Sequence, residues 1–280
     1  MQILFAAFLE TGDKVLAPGP HYPPYMAYPQ MYGAKTVEYR LDPNDSWRID
    51  FEDIESKMDD SVRLLVVINP NNPTGNVATE EEIDKLVKLA QKWPKCTIIA
   101  DEIYDGLDFT GSLVSVASKS DNVPVIVLNG VSKVYFAPGW RIGYMAWHDP
   151  HGKLDLVRDG VERLLRSRLC ASTPAQYGYL AGLRDDSNWL QGHRDRIKQR
   201  LDHCMMRISE IEGIECEEPG GAFYLFVRIT RDDMSSDDKR FVLDLLNQKH
   251  VLVVHGSGFS PEYGLSLIHI SSPRDSSESR

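Results

Sequence analysis

The chain has 280 residues, of which 42% are hydrophobic and 26% charged, a composition close to that of ordinary globular proteins. Its formal net charge of -10 argues against a broad nucleic-acid-binding surface, and no apolar run is long enough to span a membrane. No secretory signal is visible at Met1, and the four cysteines have no metal-ligand spacing, so we expect a cytoplasmic protein with reduced thiols and no metal.

The first half of the chain predicts strands that alternate with helices. A short buried helix is expected in MQILFAAFL at the start of the chain. Thr79 is a suitable N-cap, and Glu82 completes a capping box before apolar residues at helical spacing, which predicts a helix over 79–92 that covers the sheet. Strands are predicted at 14–18, 34–39, 64–69, 96–104, 123–129 and 142–148.

The second half predicts a different, smaller unit. A helical region runs through DLVRDGVERLLRSRL and on past Pro174, and a charged helix follows from about Asn188. Its basic residues are interrupted by acidic ones and have no aromatic platform, so we interpret them as a solvated helix face. Two strands near 213–217 and 222–229, a helix near 237–249 and the strand VLVVH complete this unit.

Polar residues follow three of the predicted strands. The strand LLVVIN runs into NPNNPTG, which contains Asn72; the next strand closes with Asp101 and Tyr104; a third ends in a turn that contains Lys133. These segments are about 30 residues apart, roughly one βα unit each, which suggests neighbouring positions in one mostly parallel sheet. Ligands of such sheets bind at the carboxyl ends of the strands, so we expect these side chains to converge.

The residue types at these strand ends suit one cofactor. A lysine amine forms a Schiff base with a carbonyl, and pyridoxal phosphate (PLP) combines this linkage with a partner for its pyridine nitrogen. Lys133 would be the anchor and Asp101 the partner, while Asn72 and Tyr104 would donate hydrogen bonds to the phenolate oxygen of the ring.

Phosphate binding is expected from the residues around the lysine. Arg141 lies eight positions after Lys133, and its guanidinium suits a phosphate, while Ser132 adds a hydroxyl. Each of these residues, taken alone, has a simpler interpretation as a loop lysine, a turn, a helix cap, a core tyrosine or a surface ion pair. Their joint occurrence at strand ends favours the cofactor site.

Three segments carry a resemblance to a known family. NPNNPTG, ADEIYD and NGVSKVYFAPGWRIGY resemble the signature segments of class I/II PLP-dependent aminotransferases of fold type I, and the likeness covers roughly residues 1–264. The alanine aminotransferase-like branch is similar in three further features, which are Gly130 before the lysine, RLCASTPAQ at 168–176 and PGGAFYLFVRI at 219–229.

The resemblance implies an α/β fold, in which a mostly parallel central sheet has helices on both faces and a smaller C-terminal α/β domain follows. It places the large PLP-binding domain at 1–187 and the small domain at 188–264. It also implies that Lys133 forms the Schiff base and moves the proton between the substrate carbon and C4′ of the cofactor. Tyr22, in PGPHYPPY, matches the aromatic residue that stacks on the cofactor ring.

The reaction implied by the resemblance transfers an amino group between L-alanine and 2-oxoglutarate, so that the partners are amino-acid and 2-oxoacid substrates. Family members act as dimers with sites at the interface, which implies a homodimer. Two other kinds of function stay open. One is another fold type I enzyme, such as an aromatic or branched-chain aminotransferase or a carbon–sulfur lyase. The other is a non-catalytic PLP-sensing module.

The chain departs from the family pattern at both ends. Members of the family are longer, and the phosphate cradle, the N-terminal arm and the carboxylate-binding arginine have no counterpart here. Residues 265–280 resemble translated sequencing-adapter sequence, so we expect a non-native or disordered tail, and Arg274 is not assigned as the clamp. We therefore interpret the chain as a fragment with weak or absent activity.

Overall fold

The computed structural model describes residues 1–185, 187–231, 237–260 and 266–269. A large sheet of seven strands forms the centre of the first part of the chain, in the order β3-β2-β1-β4-β5-β6-β7. Its strands are β1 (Lys14–Gly19), β2 (Lys35–Asp42), β3 (Arg48–Ile49), β4 (Val62–Ile68), β5 (Thr97–Asp101), β6 (Val125–Gly130) and β7 (Gly143–His148).

The five inner strands of this sheet run parallel, while β3 and β7 are antiparallel to their neighbours at the two edges. The prediction of a mostly parallel central sheet is therefore confirmed. The strands β4, β5 and β6 lie side by side, so the three segments that follow them meet at one edge of the sheet. Such strands are covered on both faces, which explains their nearly continuous apolar sequences.

Helices pack on both faces of the sheet. They are α1 (Gln2–Phe8), α2 (Pro24–Met31), α3 (Phe51–Lys57), α4 (Glu80–Gln91), α5 (Asp155–Arg168) and α6 (Thr173–Arg184). Alternate residues of β4 enter opposite cores, because successive strand side chains point to opposite faces. Leu65 packs in a cluster with Ile83 of α4, whereas Leu64 packs in a second cluster with Phe5 of α1.

Helix α4 begins at the predicted capping box. The Thr79 hydroxyl accepts a hydrogen bond from the Glu82 N–H at 3.2 Å, and the Glu82 carboxylate accepts one from the Thr79 N–H at 2.8 Å. These two bonds satisfy donors that the first turn leaves open. The cap therefore fixes where the helix starts and which face it turns to the sheet.

The second unit is built on a smaller sheet with the order β10-β11-β9-β8, in which all pairs are antiparallel. Its strands are β8 (Ile214–Cys216), β9 (Tyr224–Ile229), β10 (Val254–His255) and β11 (Ser266–His269), and its helices are α7 (Trp189–Ser209) and α8 (Asp238–Lys249). No helix in the described ranges combines the length and the apolar character that a membrane crossing requires.

Strand β11 lies within the segment 265–280, for which a non-native or disordered tail was predicted, and the origin of that segment stays a prediction. Residues 266–269 pair with β9 on one side and β10 on the other. A strand between two partners satisfies its backbone groups whatever its composition, and that long-range pairing has no local sequence signal. The stretches 261–265 and 270–280, which include Arg274, lie outside the described residues.

Candidate active site

A cavity of about 900 Å³ opens at the carboxyl ends of β4, β5 and β6. All seven side chains predicted for the cofactor site line it: Tyr22, Asn72, Asp101, Tyr104, Ser132, Lys133 and Arg141. The convergence expected from the spacing of three strand–turn segments is thus present in the structure. The site sits where open α/β sheets generally bind their ligands.

Asp101 is the last residue of β5 and is buried at the base of this cavity. The Tyr25 hydroxyl donates a hydrogen bond to its Oδ2 at 2.7 Å, and the Ile103 N–H donates to Oδ1 at 3.4 Å. Burial raises the pKa of Asp101, while these two bonds and the Lys133 ammonium oppose the increase. A desolvated carboxylate in this position favours a cationic partner.

Lys133 follows β6 and extends into the same cavity. Its Nζ donates a hydrogen bond to the Tyr224 hydroxyl at 3.4 Å and lies 5.6 Å and 5.4 Å from the ring centroids of Tyr104 and Phe223. Burial lowers the pKa of Lys133, and the Asp101 carboxylate opposes this effect. A lowered pKa increases the fraction of neutral amine, which is the form that attacks a carbonyl.

Asn72 and Tyr104 meet across the cavity from loops after β4 and β5. The Asn72 Nδ2 donates to the Tyr104 hydroxyl at 3.2 Å, and that hydroxyl lies 2.6 Å from the hydroxyl of Tyr224. Burial raises the pKa of Tyr104 well above its usual value, so the residue remains a neutral donor. The Asn72 Oδ1 is buried without a hydrogen-bond partner among the described residues.

The remaining predicted residues are more open to solvent. Tyr22 is 43% exposed at the mouth of the cavity, and Ser132 is half-buried beside the lysine. Arg141 has a left-handed backbone, with φ at 52°, and its Nη1 donates to the Pro138 carbonyl at 2.6 Å. A guanidinium has five N–H donors, so most of its binding capacity is left for a ligand.

Two tyrosines of the site were not predicted. Tyr25 is fully buried under Asp101, and it lies three positions after Tyr22, where the first turn of α2 begins. Tyr224 is the first residue of β9 and reaches the lysine from the smaller unit. The helical spacing could have indicated Tyr25, whereas Tyr224 depends on a tertiary contact.

Helix α5 also contributes a wall that was not predicted. Its cavity-lining residues are Arg158, Val161, Glu162, Leu165 and Arg168. They recur at helical spacing and therefore share one face of the helix. The sequence shows this spacing, but it does not show that this face lines the cavity. The two arginines add positive charge near Lys133 and Arg141, as an anionic ligand requires.

The fold and this lysine-containing cavity place the chain among the α/β proteins that have a ligand site at the carboxyl ends of parallel strands. The family model described as aminotransferase class I and II matches residues 1–266. The chain therefore belongs to the class I and II aminotransferase family.

The sequences of known relatives align with most of this chain. An alanine aminotransferase of Mycobacterium tuberculosis is 35% identical over 265 residues, which cover 91% of this chain and 60% of the relative. The glutamate-pyruvate aminotransferase AlaA of Escherichia coli is 34% identical over 259 residues, which cover 91% of this chain and 64% of that protein. The chain thus spans less than two thirds of the length of these curated relatives.

Solved structures show the same architecture. The alanine aminotransferase from Pyrococcus furiosus matches with a TM-score of 0.93 and 43% identity, over 96% of this chain and 68% of that one. An aminotransferase from Escherichia coli matches with a TM-score of 0.91 and 32% identity, over 96% of this chain and 68% of that chain. The α/β architecture predicted for this chain is that of fold type I aminotransferases.

Proposed function

We propose that the protein is a PLP-dependent aminotransferase that transfers an amino group between L-alanine and 2-oxoglutarate, with pyruvate and glutamate as products. The observation that carries the proposal is the half-buried Lys133 amine at the end of one strand, beside the buried Asp101 at the end of the next. The choice of alanine is supported by the relatives, which include alanine and glutamate-pyruvate aminotransferases.

The donor set of the cavity fits PLP. A buried carboxylate suits a protonated pyridine nitrogen, an amide and a phenol suit an anionic ring oxygen, and guanidinium groups suit a phosphate. The Asn72 Nδ2 has two N–H donors and gives one to the Tyr104 hydroxyl, so the second is available for that ring oxygen. When bound, PLP supplies an aldehyde and a pyridine ring that accepts electrons.

Lys133 is the residue to which we assign proton transfer. Its Nζ lies in the cavity with a pKa lowered by burial, so the neutral amine can take a proton from a substrate carbon. The Tyr224 hydroxyl contacts this amine at 3.4 Å and limits its positions. The same amine can return the proton at a second atom within its reach.

The other residues of the site would bind the cofactor and fix its orientation. Asp101, held by Tyr25, would keep a ring nitrogen protonated, and Asn72 with Tyr104 would hold the ring oxygen. Tyr22 would cover one face of the ring at the mouth of the cavity. Ser132 and Arg141 would bind the phosphate, the arginine through two parallel hydrogen bonds.

We also propose that the protein forms a homodimer through an apolar surface beside the cavity. Large side chains that are at least 40% exposed cluster there, from the turn before β7, from β7, from α5 and the residue after it, and from α6: Trp140, Tyr144, Leu165, Leu169, Tyr177, Leu180 and Leu183. A surface of this kind marks an interaction site.

All four cysteines are free thiols, which supports a reducing, cytoplasmic compartment.

The role of Lys133 is tested by trapping. The protein is incubated with PLP, reduced with borohydride and digested, and mass spectrometry locates the modified residue. We expect the adduct on Lys133, its loss in Lys133→Ala, and its retention in a control variant, Lys92→Ala, because Lys92 is exposed and pairs with Glu55 outside the cavity. An adduct on another lysine, or none, would contradict the proposal.

The substrate is tested separately with the PLP-loaded protein. L-alanine, L-aspartate and L-tyrosine are offered with 2-oxoglutarate, and glutamate formation is measured. We expect L-alanine to give the highest rate. Preference for L-aspartate would contradict the alanine assignment and agree with another relative, the aspartate aminotransferase of Bacillus subtilis, which is 33% identical over 266 residues.

A further inference from the structure

We propose that Tyr224 is a positioning residue that joins the Lys133 amine to the Tyr104 hydroxyl by a continuous hydrogen-bond bridge. Tyr224 begins β9 in the smaller unit, yet its hydroxyl lies 3.4 Å from Lys133 Nζ and 2.6 Å from the Tyr104 hydroxyl. The inference rests on the proposed role of Lys133 and gives a role to a tyrosine to which the sequence analysis assigned none.

The direction of the bridge follows from the available protons. A lysine ammonium has only donors, so Tyr224 accepts from Lys133 and uses its own proton toward Tyr104. Tyr104 then accepts from Tyr224 and from Asn72. The proton of the Tyr104 hydroxyl is thereby directed away from both partners and is available to a ligand in the cavity.

Tyr224 is held in place because the chain before it is bonded to the large unit. The Gly221 N–H donates to the Gly75 carbonyl at 2.9 Å, the Ala222 N–H donates to the Leu107 carbonyl at 2.9 Å, and the Phe109 N–H donates to the Gly220 carbonyl at 2.8 Å. These bonds reach the loops that carry Asn72 and Tyr104. The segment 219–224 therefore forms part of the large unit's site.

The backbone of this segment has an unfavourable conformation at Ala222, which directs the Tyr224 side chain toward Lys133. Ala222 has φ at 60°, a left-handed conformation that is unfavourable for a residue with a Cβ. Such a conformation persists only where its surroundings enforce it. The enforcing contacts are close: a Cβ on Gly221 would lie 2.7 Å from Pro70 Cγ. The strained residue turns Phe223 and Tyr224 toward Lys133.

The electrostatic surroundings of the lysine are mixed. The charged and titratable groups that line the cavity with it are the amino group of Met1, Tyr22, Asp101, Tyr104, Arg141, Tyr144, Arg158, Glu162 and Arg168, and Tyr224 contacts it directly. Among these groups, the hydroxyl of Tyr224 accepts a hydrogen bond from Nζ. Removing that hydroxyl should therefore change the acidity of the amine without changing the net charge of the site.

The bridge is tested in protein without cofactor by comparing Tyr224→Phe with Tyr39→Phe. Tyr39 is a matched control because it is also buried and its hydroxyl donates one hydrogen bond, to the Val66 carbonyl at 2.9 Å, in the core. Reductive methylation of Lys133 by formaldehyde and cyanoborohydride is followed over pH by mass spectrometry. We expect Tyr224→Phe to shift the profile to lower pH, because the ammonium loses an acceptor, and Tyr39→Phe to follow the wild type.

A second measurement uses PLP itself. We expect Tyr224→Phe to bind PLP about fivefold to tenfold more weakly than the wild type, as loss of one hydrogen bond of roughly 1 kcal/mol predicts. If Tyr224→Phe does not fold, 3-fluorotyrosine at position 224 replaces it. Its oxygen is a weaker acceptor, so the methylation profile should move in the same direction by less.

The outcomes separate the bridge from the proposed function. A methylation profile unchanged from the wild type overturns the bridge, whether or not PLP binds. A shifted profile supports the bridge even if no PLP adduct forms on Lys133, a result that would instead contradict the proposed function. An equal shift in Tyr39→Phe would also overturn the bridge, because it would show a general effect of losing a buried hydroxyl.

Discussion

At the scale of one residue, the buried carboxylate of Asp101 lowers the stability of the folded protein. Its carboxylate is buried, and burial raises its pKa although Tyr25 and the Ile103 N–H donate to it. A carboxylate with a raised pKa in the folded state destabilises the protein once the pH exceeds the unfolded-state value. The group is retained in a position where a bound cation would compensate it.

Asp101→Asn should therefore stabilise the cofactor-free protein near neutral pH while abolishing PLP retention. We expect the unfolding temperature to rise by about 2 °C or more, the effect of roughly 1 kcal/mol in a chain of this size. The gain should vanish at acidic pH, where the wild-type carboxyl is protonated. Thermal unfolding across pH measures this difference, and a gain that grew as the pH fell would contradict it.

Asp59→Asn is a suitable control, because the pKa of Asp59 is lowered in the folded protein whereas that of Asp101 is raised. Hydrogen bonds from Lys14 and Ser61 lower the pKa of Asp59 to about 2. Its ionised form therefore stabilises the fold above its unfolded-state pKa, and that stability is lost as the pH falls toward 2. Asn at this exposed position should leave the unfolding temperature unchanged or lower it slightly near neutral pH.

Residues of the site were predictable where turn chemistry marks a strand end. Asn72, Asp101 and Lys133 each follow an apolar strand, and the parallel arrangement brings such ends together. Tyr25 and Tyr224 were not identified, because an aromatic residue in an apolar segment is equally consistent with core packing. Their assignment needs the contacts to Asp101 and Lys133.

At the scale of elements, the contact between the loop 69–75 and the segment 219–224 depends on glycine. Gly75 has φ at +71°, and a Cβ there would lie 2.3 Å from Pro219 Cβ. Gly111 has the same φ of +71°, but a Cβ there would meet nothing within 4 Å. A substitution at Gly111 therefore tests the left-handed backbone conformation alone, whereas a substitution at Gly75 also tests the close packing against Pro219.

Alanine at each position should have different effects. Gly111→Ala should cost about 1 kcal/mol, the price of a left-handed alanine. Gly75→Ala should cost about 3 kcal/mol or more, because overpacking adds to the backbone term, and it should also weaken PLP binding by displacing Tyr224. Urea unfolding measures both variants, and equal free energies of unfolding would show that the contact with Pro219 is unimportant.

Elements with a local signal were predicted, and those fixed by distant pairing were not. The capping box of α4 and six of the seven strands of the large sheet follow from spacing and turn residues, whereas the two-residue edge strand β3 was not predicted. Strand β11 is fixed by pairing with β9 and β10, and the composition around it favours a tail. Pairing partners that are far apart in sequence leave no local pattern.

At the scale of the whole molecule, His21 connects distant parts of the chain. Its N–H donates to the Phe259 carbonyl at 3.2 Å, and the Ser260 hydroxyl donates to Glu38 of β2 at 2.7 Å. The His21 ring is buried with Nδ1 at 3.4 Å from Glu38 Oε1. Burial lowers the pKa of His21 to about 4, and the Pro18 backbone opposes this decrease.

The folded protein should therefore lose stability as the medium becomes acidic. His21 stays neutral in the folded state, so its contribution is complete above pH 6.5 and is lost as the pH falls toward about 4. The total loss is roughly 3 kcal/mol, at about 1.4 kcal/mol for each pH unit. Chemical unfolding between these limits should show a shallower pH dependence for His21→Gln.

The exposed His203 provides the comparison for this measurement. We expect His203→Gln to keep the pH dependence of the wild type, because this substitution lies on the surface and leaves the buried His21 in place. A pH dependence that is equally steep in His21→Gln would assign the acid sensitivity to other groups.

The bonding of residues 219–224 to the large unit has a consequence for recombination. A chimera joined near position 188 would replace Tyr224 and the residues that hold it, Gly220, Gly221 and Ala222, together with the C-terminal half. Shuffling the two halves among relatives would therefore exchange part of the chemistry along with the scaffold. Crossovers that keep this short stretch with its original N-terminal half should give the more active hybrids.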